Sequence, residues 1–315
     1  MFFRNKDCTK LLEYVAHGNQ LDAENLIKLK PELLNINGNV KDYSGRTFED
    51  ITALQYAIWS YDWRMRDMIL KYLDKAEAQR QTNLVQSKGI DYFIPESLIR
   101  VKEFDQKGQE IPFNTKDKMI YVKESHFDLD SYILKLKKYL MLWDWDDYYE
   151  NWSKGKAYWC KVIGGAQRLL PACIAQEYCQ RGDDSQDSLQ GNDLSQPEFD
   201  RVFNYYDPSS PANGRWFPLD NSTMGINIAV VGYNVFSTAY GHFVLDIYVD
   251  DARLDKMPGT TAVENDIKGL CALREVLNKK FNIKKPTYEA RWDLITYQQN
   301  NVEIGQASRI NNFKT

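Results

Sequence analysis

Thr9-Lys10-Leu11-Leu12-Glu13-Tyr14 and Thr52-Ala53-Leu54-Gln55-Tyr56-Ala57 are one phrase written twice, at an offset of 43 residues. Further on, Leu26-Ile27-Lys28 falls on Ile69-Leu70-Lys71 at the same offset. A period of this size marks stacked supersecondary units, each burying its apolar face on the next, and such arrays serve recognition more often than chemistry. The first copy predicts short amphipathic helices over 9 to 14 and 21 to 29, separated by His17-Gly18-Asn19, where glycine ends the first. The second predicts helices over 52 to 59 and 63 to 73, with Tyr61-Asp62 in place of the glycine turn. Between the pairs, residues 35 to 50 are rich in Asn, Asp, Gly and Ser and are expected to project as a hairpin-like finger. A further helix over 74 to 87 closes the stack through Ala76, Ala78, Leu84 and Val85. Since about three repeats are normally needed for a stable array, two must lean on that helix and on the C-terminal part of the chain.

Beyond residue 87 the chain changes texture twice. Residues 88 to 127 read as an irregular connector with a small hairpin or two, built from Phe93-Ile94-Pro95, Ile99-Arg100-Val101, Ile111-Pro112-Phe113 and Met119-Ile120-Tyr121-Val122. Helical spacing resumes at Tyr132, Ile133, Leu136, Tyr139 and Leu140 behind Asp128 or Asp130 as N-cap. A second helix over 159 to 179 must be kinked or divided by Pro171. After a polar loop over 181 to 198, strands are expected over 226 to 231 and 243 to 249, then a helix carrying Val263, Ile267, Leu270, Leu273 and Leu277. The fold class is therefore α+β and mainly helical. A short helical repeat unit (1 to 87) precedes the connector (88 to 127) and a mixed helical and β domain (128 to 315).

Length and charge bound the function. A chain of 315 residues suits about two domains. With 40 Lys and Arg against 44 Asp and Glu, the net charge of −4 offers no general attraction for a phosphate backbone, so nucleic acid is not the expected partner. Cys8, Cys160, Cys173, Cys179 and Cys271 are odd in number and contain no CxxC pair, which suits thiols of a reducing compartment. No stretch approaches the 18 uninterrupted apolar residues of a membrane-spanning helix, and Met1 to Asp7 turns charged before an apolar signal region forms.

For chemistry, the sharpest candidate is a nucleophilic Cys160 paired with His242, with Asp246 or Asp250 orienting the imidazole. Gly241-His242-Phe243-Val244-Leu245-Asp246 resembles the histidine strand of papain-like and ubiquitin-specific cysteine proteases, yet the glycines and glutamine expected around such a cysteine are missing near Cys160. The scattered His17, His126 and His242 do not make a metal site. Asp144, Asp146 and Asp147 fit a solvated acidic face over an aromatic core better than a metal cluster. Gly164-Gly165 lacks the spacing and lysine of a phosphate loop, so no cofactor is expected.

Thr52, Leu54 and Ala57 match the ankyrin pattern T-P-L-H-x-A, and Thr9 and Leu11 match it more faintly. Proline and histidine are absent, Tyr14 replaces the alanine, and the spacing is about ten residues longer than an ankyrin repeat. With the turn Ala16-His17-Gly18-Asn19-Gln20 and the finger Asp42-Tyr43-Ser44-Gly45-Arg46-Thr47-Phe48, the segment resembles the ankyrin-type modules of effector proteins from Legionella-like intracellular bacteria. Ser125-His126-Phe127-Asp128, Ala166-Gln167-Arg168, Gln176-Glu177-Tyr178-Cys179 and Trp216-Phe217-Pro218-Leu219 resemble phrases of a second module in those proteins, C-terminal to the ankyrin part. The resemblance implies delivery into host cytoplasm by type IV secretion, without a cleavable signal peptide, and binding of a host protein through the first unit. Residence in the bacterial cytoplasm is the alternative. Tyr43, Arg46 and Phe48 on the finger, with Trp59 and Trp63 on the adjacent helices, are the expected contacts. A cysteine-dependent hydrolase or protease targeted by that unit is the competing function.

Overall fold

The duplication is preserved hydrogen bond for hydrogen bond in the two helix-to-helix turns. Helix α1 (Lys6–His17) leads into α2 (Gln20–Leu29), and α3 (Ala53–Trp59) into α4 (Trp63–Ile69). In the first turn the amides of Gly18, Asn19 and Gln20 donate to the carbonyls of Val15, Tyr14 and Gly18. In the second, the amides of Tyr61, Asp62 and Trp63 donate to Ile58, Ala57 and Tyr61, each shifted by the 43 residues of the repeat. Gly18 sits at φ +77° and Tyr61 at φ +61°. Glycine enters that left-handed region without steric cost, whereas a tyrosine there crowds its Cβ against the backbone.

The computed structural model describes residues 6–96, 118–141, 155–180 and 260–283, with short segments at 204–205, 214–215, 224–225, 229–230, 235–237 and 243–245. Residues Met1–Leu277 form one compact unit and Asn278–Thr315 a second, of which the described part is the end of the last helix and the turn after it. The boundaries expected near 87 and 127 thus fall inside the first unit.

Helix α1 packs on α3 and α2 on α4, while α5 (Lys75–Lys88) covers α3 from the other side. Thr52 caps α3 with a complete capping box, its hydroxyl accepting from the Gln55 amide while the Gln55 side chain accepts from the Thr52 amide. The apolar residues expected on α5 do only part of the work there. Val85 is buried, Ala76 is exposed, and Ala78 and Leu84 are partly covered. The central side chain is instead the buried Gln81, which donates to the Leu34 carbonyl at 3.1 Å and accepts from the Thr52 hydroxyl at 2.6 Å.

The finger does not project. Its strands β1 (Gly38–Lys41) and β2 (Thr47–Ile51) join β3 (Ile90–Pro95) and β4 (Met119–Glu124) in one antiparallel sheet of order β1-β2-β3-β4. Residues expected to be a connector therefore share a sheet with the finger. On β3, Ile90, Tyr92 and Ile94 are buried in strict alternation. At the other edge β1 lies so close to α1 that a Cβ on Gly38 would sit 2.8 Å from the Leu12 side chain.

Beyond the sheet, α6 (Leu129–Met141) is capped by Asp128, whose Oδ1 accepts from the Ser131 amide at 3.1 Å. The expected helix over 159 to 179 is divided as Pro171 requires. A π-helical segment (Tyr158–Ile163) runs into α7 (Gly164–Arg168), and α8 (Ala172–Gln180) begins after the proline, with the Pro171 carbonyl accepting from Ala175 at 2.9 Å. Strands β5 (Asn204–Tyr205), β6 (Gly214–Arg215), β7 (Val235–Ser237) and β8 (Phe243–Leu245) form a second small sheet of order β6-β5-β8-β7, followed by α9 (Thr260–Lys280). Of the strand expected over 226 to 231, Ala229 and Val230 are described and are not strand residues. The aromatic run 143 to 152, with Asp144, Asp146 and Asp147, and the polar loop 181 to 198 lie outside the described residues.

Candidate functional site

Three of the five residues expected to touch a partner are inside the protein. Arg46, Phe48 and Trp59 are 3%, 0% and 0% exposed. The finger turns inward because its tip carries its own counterion: Asp42 Oδ1 accepts from the Arg46 amide (3.0 Å) and the Ser44 hydroxyl (2.6 Å), and Asp42 Oδ2 lies 3.6 Å from Arg46 Nη1. Gly45, at φ +88°, allows the tight return. The Arg46 guanidinium then enters an aromatic box, 5.3 Å from the Trp59 ring, 5.4 Å from Phe127 and 5.6 Å from Tyr92. Phe48 completes the packing at 4.7 Å from Trp59. Beside this box burial pushes the Glu124 carboxyl up, opposed by the Tyr92 hydroxyl (3.0 Å) and the Arg46 charge. A motif that reads as a recognition tip is thus the anchor between the hairpin and the helices.

Tyr43 and Trp63 keep part of their surface in solvent. The Tyr43 ring stacks on His17 at 4.2 Å, and His17 Nε2 lies 3.3 Å from the Lys41 carbonyl. Burial pushes the His17 imidazole below its ordinary value, against the weaker upward pull of Lys41, Asp42 and Glu13. Trp63 carries the Arg64 guanidinium 5.0 Å over its ring, and Arg64 pairs with Glu177 of α8 at 3.4 Å. These residues line a small cleft shared with Tyr61, Cys173, Leu273 and Leu277. The Cys173 thiol donates to the Ser60 carbonyl at 2.9 Å. The cleft is where the second helix pair meets α8 and α9.

The second block is organised by a buried polar network that periodicity does not reveal. The Gln167 amide clasps one residue of the 229–230 segment in both directions, accepting from the Val230 amide at 2.9 Å and donating to its carbonyl at 2.5 Å. The same amide nitrogen is 3.0 Å from the Tyr132 hydroxyl and 3.4 Å from that of Tyr178. Tyr178 donates to the fully buried Asp266 of α9. The Trp159 indole N–H donates to the Ala229 carbonyl at 3.0 Å, and a Cβ on Gly225 would meet the Gly165 Cα at 2.8 Å. Gly164-Gly165 therefore serves close backbone approach. The glycine pair, Tyr132, Ala166-Gln167-Arg168 and the phrase around Tyr178 stand out in the sequence; Asp266 sits among the polar residues of an amphipathic helix with nothing to mark it.

The cysteine candidate gains no support from Cys160. Burial pushes its thiol up, and Lys156 and Lys161 oppose this only in part, whereas an activated nucleophile needs the thiolate. His242 and Asp246 lie outside the described residues, as does Asp250. Among the described residues no cluster of His, Cys, Asp and Glu has the composition of a metal site, and no helix is long and apolar enough to cross a membrane.

The buried network falls wholly within a stretch with known relatives. Residues 131–286 match the family described as the CBUA0006 C-terminal domain. Over 224 residues, 69% of its length, the chain is 29% identical to the uncharacterized protein CBUA0006 of Coxiella burnetii (strain RSA 493 / Nine Mile phase I). It spans 60% of that relative's length. The match to the C-terminal domain family begins within α6 and ends just beyond α9, so it takes in Tyr132, Gln167, Tyr178 and Asp266 together. No solved structure matches the chain.

Proposed function

We propose that this protein is a bacterial effector that binds a host protein through its N-terminal paired helices, an ankyrin-like unit whose third stacking element is α5. The observation that carries the reading is a line of leucines left in solvent on α2. Leu21 and Leu29, two helical steps of four apart with Asn25 between them, are 47% and 78% exposed. The helices stacked around them bury most of their large apolar side chains, so an uncovered leucine line on the end pair is surface suited to a partner. Leu70, at the end of α4, is likewise 40% exposed. Delivery into host cytoplasm by type IV secretion is part of the same proposal and rests on the effector resemblance of the N-terminal segment.

The test uses the full chain, because residues 1 to 87 alone would cut the sheet between β2 and β3. Wild type and a Leu21→Ser/Leu29→Ser variant are used to capture host-lysate proteins, with circular dichroism confirming the fold. The expected result is one or more specific partners lost with the double variant and retained with Cys160→Ala. Equal capture by wild type and the leucine variant would overturn the reading. A translocation reporter fused to the chain, compared in secretion-competent and secretion-defective bacteria, tests delivery separately.

A further inference from the structure

We propose that Tyr61 and His126 form an acid-sensitive latch that holds the second helix pair against the start of α6. The two rings are 5.1 Å apart, and the Tyr61 hydroxyl lies 2.9 Å from His126 Nδ1 across 65 residues of chain. The adjoining backbone makes the same junction, with the Phe127 amide donating to the Trp59 carbonyl at 2.8 Å. Tyr61 reaches this position from the left-handed turn where the other copy of the repeat uses Gly18. A tyrosine held there is strained, and from there its side chain reaches His126. Strain kept at one copy of a duplicated turn, where the side chain bridges to another element, marks a built contact.

Acid acts on this contact because the junction is half-closed to water. His126 meets Tyr61 from the turn between α3 and α4, and Asp128 and Asp130 from the start of α6. Arg274 of α9 approaches the same place, paired with Asp130 at 2.5 Å. Burial pushes the imidazole below its ordinary value and outweighs the upward pull of the Phe127 backbone, Asp128 and Asp130, the last of which is paired with Arg274. Protonation puts a cation in a partly buried site, and it turns Nδ1 from a possible acceptor of the Tyr61 hydroxyl into an obligatory donor. The closed junction therefore favours the neutral ring. The latch does not depend on the host-binding reading.

Hydrogen–deuterium exchange of the full chain at pH 7.5 and pH 5.0, corrected for intrinsic rates, tests this. Amides of residues 60–66 and 126–133 are expected to exchange about three- to tenfold faster at pH 5.0 in the wild type. His126→Gln should show no such acid response, and Tyr61→Phe should already be faster at pH 7.5. His17→Gln should retain the response, since His17 faces the finger. Unchanged protection of the wild type, or an equal acid response in His126→Gln, overturns the proposal. Should His126→Gln fail to fold, NMR titration of the wild-type imidazole decides. A midpoint clearly below about 6.5 supports the latch, and one at or above that value overturns it.

Discussion

Replacing Arg46 with methionine would leave the Asp42 carboxylate buried without its cation, and would empty the box of Trp59, Tyr92 and Phe127 of its charge. Breaking a buried pair from one side is expected to cost about 3 to 5 kcal/mol. Urea unfolding measures it, and the Asp42→Asn/Arg46→Met double variant should recover a substantial part. A loss below about 1 kcal/mol in Arg46→Met would mean that the box does not depend on its charge. Gln81→Ala is expected to cost about 1 to 3 kcal/mol by the same measurement, because it strips partners from the Thr52 hydroxyl and the Leu34 carbonyl together. At this scale the sequence misleads in a consistent way. Arg46 reads as a surface charge and Gln81 as a polar face, since neither residue type reveals that a partner is brought to it by the fold.

Elements are more legible. The duplicated Thr and Leu positions, the glycine turn and the Pro171 break all act within a few residues, so the helices they delimit follow from local chemistry. The finger reads as a hairpin but not as a sheet member, because Phe48 pairs with Tyr92 across the intervening helices. The docking of 224–225 and 229–230 on α7 and the π-helical segment is invisible for the same reason. Gly225→Ala tests it: a Cβ there, at φ +78°, meets the Gly165 backbone at 2.8 Å. The expected result is a loss of about 1 to 3 kcal/mol, with earlier protease cleavage around Gln167. Equal stability would show that the two backbones can separate without consequence. In the turns, Gly18→Ala is expected to cost about 1 kcal/mol, read as a lowered midpoint of thermal unfolding.

For the whole molecule, pH is the informative variable. The folded state holds the imidazoles of His17 and His126 below their ordinary value of about 6.5. Above that value both states carry neutral rings and these groups contribute nothing to the pH dependence. As pH falls below it, the unfolded chain binds protons that the folded chain refuses, so stability declines until the folded rings titrate. Glu124, pushed up by burial, works in the opposite sense as it takes up its proton earlier in the folded state. The His17→Gln/His126→Gln variant should therefore lose less stability than wild type between about pH 7 and pH 5 in urea titrations. A steeper loss in the variant would reverse the assigned sign.

What the sequence determined by itself is the repeat, the helix ends around it and the α+β class, because capping, turn conformation and amphipathic spacing act over a few residues. The tertiary structure decided which polar residues went inside. It took Arg46 from the expected recognition surface into an aromatic box, put Gln167 and Asp266 at the centre of the second block, and left Leu21 and Leu29 in water. Burial of a charge or an amide is permitted only when its partners arrive at hydrogen-bonding distance. For these residues most of the partners come from far along the chain, which no local pattern encodes.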